Sequence, residues 1–143
     1  MINMSKKEMF SILSQADGAE ITGLAAKIAG AHKVETLKKP EKNLVMLKVR
    51  ESARSTLFYA AEALACECMV ALDGVKGFAS CLGDDMEKIY AMAVIDAAVN
   101  AGAPETVEIL DMLWKWGADI KAARAREAAL TMSTKVNFTV MEE

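Results

Sequence analysis

The residues with the most chemical potential lie close together. Cys66, Cys68 and Cys81 fall within sixteen positions of each other, with Glu67 among them and Glu62, Asp84 and Asp85 flanking them. Three thiols could hold zinc, but zinc knuckles use C-x₂₋₄-C spacing and a fourth ligand, and a C-x-C on a straight strand does not wrap an ion. The sole histidine, His32, lies well before these groups. It has no G-x-S-x-G elbow with which to build a nucleophilic triad, so a structural role is the expectation. Buried, reduced cysteines are the reading this spacing favours. Glu62 and Glu67 are the candidate acid/base groups. A carboxylate among apolar neighbours can have a raised pKa and move protons. Glu67 could equally border a protein interface and meet an arginine there, and that reading is preferred because no second catalytic group is evident beside it.

The elements that must position these groups follow from periodicity. Leu64, Cys66, Cys68, Val70 and Leu72 alternate with Ala65, Glu67, Met69 and Ala71, which marks a strand. Asp73-Gly74 is a two-residue hairpin turn, since both positions tolerate positive φ. The turn sets the register: Leu72 opposite Val75, Val70 opposite Gly77, Cys68 opposite Ala79, Cys66 opposite Cys81. The thiols then look one way, and Glu67, Met69, Phe78 and Leu82 look the other. Both faces are apolar. Either a partner or this chain's own C-terminal helices must cover the second one.

Upstream, Ser5 with Glu8 and Asp17 with Glu20 have capping-box form, giving short helices over 5–15 and 18–30. Residues 33–39 are weakly extended and stop at Pro40. Leu44–Arg50 is a better strand, with Val45, Leu47 and Val49 on one face and Lys48 and Arg50 on the other; 51–56 is loop, and 58–62 either continues the sheet or wraps its edge. Downstream, Asp84 caps a helix that runs to about Ala101 and stops at Gly102. A further helix follows Pro104, Gly117 breaks it, and a last helix spans about 119–135. Val136, Phe138 and Met141 form an apolar tail. Helices, then an antiparallel meander with a central hairpin, then helices make an α+β fold, and 143 residues make a single domain over 1–143.

Composition narrows the function. Apolar residues are 53% of the chain and the net charge is −3, with a pI near 5.3. That balance argues against nucleic-acid binding. No apolar run is long enough to cross a membrane, and the N-terminus lacks a signal-peptide pattern, so a cytoplasmic location is expected. Lys38, Lys39, Lys42, Lys48, Arg50 and Arg54 cluster around the first strands, without a Gly-rich phosphate loop, and read as a solvated charged face.

Three segments carry a resemblance: KKPEKNLVMLKVRESA, FYAAEALACECMVALDGVKGFASCLGDDMEKIYAMAVIDA and TKVNFTVMEE. Glu62, Glu67, Cys68, Gly74, Gly77, Gly83, Asp84 and Asp96 fall where a known motif places them. The chain resembles the PhnG family, a subunit of the bacterial carbon–phosphorus lyase core complex, over roughly 34–141. It departs at Ala61, where glycine is common, at Ser80 and Cys81, and in a shorter tail. The resemblance implies phosphonate breakdown in an assembly with PhnI-, PhnH- and PhnJ-like subunits and a PhnL-like protein. That assembly forms ribose-1-alkylphosphonate 5-triphosphate from ATP and an alkylphosphonate. ATP is then a substrate of the complex, and this subunit carries neither cofactor nor metal. It implies no catalytic residue here, which leaves an assembly role as homodimer or hetero-oligomer. Met69, Phe78, Phe138 and Met141 are the interface candidates. The alternative is a small stand-alone enzyme that uses Glu62 or Glu67.

Overall fold

A computed structural model describes residues 4–137. The elements are α1 (Lys6–Gln15), α2 (Gly18–Ala31), β1 (Val34–Arg50), β2 (Leu57–Leu72), β3 (Val75–Leu82), α3 (Met86–Ala101) and α4 (Thr106–Ser133). The strands form one antiparallel sheet in the order β1-β2-β3, an α+β arrangement.

Local chemistry accounts for the borders. Ser5 and Glu8 complete a reciprocal capping box at α1. At α2 only half of the second box forms. Asp17 accepts from the Ala19 and Glu20 amides, while the Glu20 carboxylate accepts the Trp116 indole N–H instead. Asp73 (φ 49°) and Gly74 (φ 88°) turn the hairpin. All four expected pairs, Leu72–Val75 to Cys66–Cys81, are present.

Three expectations need correction, and one open choice is resolved. The cap of α3 is Asp85, which accepts from the Lys88 amide; Asp84 instead pairs with Lys42 at 3.3 Å. Pro40 does not end a strand. β1 runs through it with irregular pairing between Thr36 and Glu41, which an edge strand tolerates because Pro needs no partner there. The undecided segment 58–62 lies inside one long β2. Gly117 does not break α4, which is continuous over 28 residues. A Cβ at Gly117 would stand 3.1 Å from Ile12 Cδ1, so this glycine serves the approach of α1 to α4 rather than a stop.

The core forms around α3. Ile89 and the unbroken run Ala91–Ala98 are buried, as a helix covered on all sides must be. One side of α3 meets the sheet and another meets α2. The helix presses on β3 so closely that a Cβ on Gly77 would lie 2.3 Å from the Ala97 amide nitrogen and 2.4 Å from the Ala93 carbonyl oxygen. Beside this contact, buried Asp96 (4% exposed) accepts from the Phe78 amide at 3.0 Å, from Asn100 Nδ2 at 3.1 Å and from Lys6 Nζ at 2.8 Å. Asn100 Nδ2 also donates to the Lys76 carbonyl at 2.9 Å. The outer edge of β3 is thereby closed by side chains of α3, and the buried charge is fully hydrogen-bonded.

Gly77→Ala should cost about 1–3 kcal/mol, the usual range for overpacking, read as a lower urea midpoint at unchanged m-value. Gly23→Ala, in a helix with nothing within 4 Å of the added methyl, should gain up to about 1 kcal/mol.

Candidate protein-docking site

Two of the three cysteines are internal, and Cys81 is half-buried. Cys66 and Cys68 are buried against α3 and all three thiols are free. Cys68 Sγ donates to the Lys38 carbonyl at 3.3 Å and Cys66 Sγ to the Cys81 carbonyl at 3.7 Å. Burial pushes both thiols up, and for Cys66 the neighbouring Cys81 adds to it. Thiols held protonated in this way are poor nucleophiles. Among the described residues no three His, Cys, Asp or Glu side chains converge as a metal cage.

The two carboxylate candidates lie in different settings. Glu67 pairs with Lys38, which also reaches Glu41 at 2.6 Å. Held by Glu41 and then by Glu67, the Lys38 ammonium is pushed up to about 12, so it stays a cation and is no general base. Glu62 is exposed and opposite Met46. No second titratable group bonds to it among the described residues. The cation that Glu67 meets is Lys38 of its own sheet, not the arginine expected from the sequence.

His32 joins three elements. It terminates α2, its Nδ1 lies 2.6 Å from Asp73 Oδ2 at the hairpin turn, and its Nε2 lies 3.0 Å from Glu105 Oε2 at the start of α4. Only the imidazolium donates from both nitrogens. Glu105, and then Asp73, raise the His32 pKa above 6.5, while His32 lowers both carboxylates below their ordinary 4.5 and 3.8.

Met69 and Phe78 are cross-strand partners on the face away from α3. Phe78 is 42% exposed and Met69 half-buried, so neither lies deep beneath the chain's own helices. Ala65 and Ala71 on the same face are buried, shaded by longer paired neighbours such as Leu82 and Lys76. Phe138 and Met141 lie outside the described residues.

The larger apolar surface is elsewhere, and sequence reasoning missed it. β3 stops at Leu82, opposite Ala65, so the distal halves of β1 and β2 project as a two-stranded ribbon. Leu44, Val45, Met46, Leu47, Val49, Leu57, Phe58, Tyr59 and Leu64 are all exposed on it. Leu44 and Met46 lie on one face and Val45 and Leu47 on the other, by strand alternation. The signal is in the sequence: Leu44–Leu47 is apolar at four successive positions, so both strand faces receive apolar side chains before Lys48 and Arg50 follow on one of them. A second open surface, a groove of about 490 Å³, runs between α1 and α4 past Ile12, Trp114 and Arg124.

Such a surface has the composition of a docking site and lacks the convergent polar groups of a catalytic one. A family comparison matches residues 4–142 to the model for phosphonate metabolism protein PhnG. The chain belongs to the PhnG family. No curated protein matched it. Membership places this PhnG-family chain in phosphonate metabolism, and the match takes in the N-terminal helices as well as the segments that carried the resemblance. None of the described helices is long and apolar enough to cross a membrane.

The His32 clasp sets a pH dependence. A raised histidine contributes stability that is complete below pH 6.5 and fades as pH rises through its higher folded value. Asp73 and Glu105 contribute stability that is complete above their ordinary 3.8 and 4.5 and fades as pH falls through their lowered values. Urea midpoints should therefore decline above pH 6.5, and His32→Gln should flatten that decline.

Proposed function

We propose that this chain is a non-catalytic subunit of a carbon–phosphorus lyase core complex. It assembles with PhnI-, PhnH- and PhnJ-like subunits and acts with a PhnL-like protein in forming ribose-1-alkylphosphonate 5-triphosphate from ATP and an alkylphosphonate. ATP is bound by the assembly, and the nucleosidase-type chemistry lies on the PhnI-like partner. The setting is cytoplasmic and the whole chain acts as one domain, with no cofactor of its own.

The observation that carries this reading is the family match over 4–142. The state of the candidate carboxylates supports it. Glu67 is engaged with Lys38, and Glu62 stands on an exposed ribbon without a polar partner among the described residues. Neither has the positioned second group that acid/base catalysis requires. Met69 and Phe78 are kept as interface residues, because an exposed aromatic beside a methionine is a common element of docking surfaces.

Co-expression with tagged PhnI-, PhnH- and PhnJ-like proteins should carry the chain through purification, and the assembly supplied with the PhnL-like protein should consume ATP and methylphosphonate. The chain alone should consume neither. Within the assembly Glu67→Gln should lower turnover less than about tenfold, whereas loss of a general acid or base costs about 10²–10⁴-fold. Turnover by the chain alone, abolished by Glu67→Gln, would establish the stand-alone enzyme instead.

A further inference from the structure

We infer that the distal β1–β2 ribbon is an insertion arm that enters an apolar, carboxylate-rimmed cleft in a different protein, an inference that rests on the subunit reading above. Three features carry it. Both broad faces carry exposed apolar side chains, Leu44, Met46 and Leu64 on one side, with Glu62 among them, and Val45 and Leu47 on the other. Among the described residues both edges are open along this length, since β1 is an edge strand and β3 reaches only Leu82, where the Gly83 amide closes on the Leu64 carbonyl. The β2 edge over 57–63 thus offers backbone donors and acceptors to an added strand. Finally, the tip is basic. Lys48, Arg50 and Arg54 surround a turn whose only acid, Glu51, accepts the Ala53, Arg54 and Thr56 amides, and these bonds hold its carboxyl below the usual range.

A second copy of this chain does not meet these requirements. Two ribbons packed face to face bury one face each and leave the other wet. Two ribbons joined edge to edge bury neither face, and tips brought together repel. A cleft with two apolar walls covers both faces at once, and carboxylates at its inner end complement the cationic tip. Such an occupant also accounts for the scale of the surface. A stable interface buries about 800 Å² per partner, and nine large apolar side chains stand exposed on the ribbon.

The test uses the full chain in the co-expression described above. Val45→Asp with Phe58→Asp should cut capture by the tagged partners at least about tenfold, in line with loss of central apolar anchors, while the urea midpoint of the free chain stays at the wild-type value. Arg54→Glu with Lys48→Glu, exposed positions outside the core, should weaken capture and flatten its dependence on salt. Wild-type capture with both variants captured equally well would overturn the arm and leave the subunit reading standing. Failure to capture the wild-type chain would remove that reading first. Sedimentation of the isolated chain as a dimer that these substitutions dissociate would overturn the arm in favour of a second copy.

Discussion

The contact between Gly77 and the backbone of α3 determines how the rest of the chain is arranged. With no side chain at that position, Ala93 and Ala97 come to rest on β3 itself. At that separation the Asp96 carboxylate can take the Phe78 amide and Asn100 can bridge to the Lys76 carbonyl. One helix therefore covers a sheet face and also closes a sheet edge. Lys6 reaches Asp96 and Asn100 from α1, so the N-terminal helix is tied to the same point. A larger residue at 77 would lift α3 and strain every one of these bonds together.

The same contact sets the limit of the core. α3 has 16 residues and spans about 24 Å, close to the roughly 26 Å of eight-residue β3. β2 has 16 residues and spans about 53 Å. A helix seated on β3 cannot reach the far half of β2, and no other described element is placed to cover it. The exposed ribbon follows from strand lengths matched to one helix at one end only.

Much of this was legible before any coordinates. The Asp73-Gly74 turn fixed the thiols inward because a two-residue turn leaves one register, and Gly102 (φ 63°) stops α3 where expected. The errors share a cause. Intrinsic propensity makes Pro40 and Gly117 stops, and tertiary contacts override both: β1 needs no outward amide at Pro40, and α1 packs against the bare face at Gly117. Asp84 and Asp85 are equivalent as cap candidates by type, and geometry selected the second. The family resemblance placed Glu62 and Glu67 in a shared motif without giving either a role. Their settings, one paired with lysine and one exposed opposite Met46, depend on the β1–β2 register, which no short turn announced.

A ribbon that is apolar on both faces is hazardous in a free protomer, since open edges recruit other strands. The charges on it work against that. Lys48 stands 5.6 Å over the Tyr59 ring, Glu62 interrupts the face it shares with Met46 and Leu64, and Arg50 and Arg54 make the tip repel its own copies. Charges flanking an unavoidable apolar strand oppose self-association, while the same cations attract a carboxylate-bearing cleft. One set of side chains thus discourages the wrong partner before assembly and orients the right one during it. Lys48, Arg50 and Glu62 share the face of Leu44, Met46 and Leu64, so these charges stand among apolar side chains on one face while Val45, Leu47 and Val49 keep the other apolar.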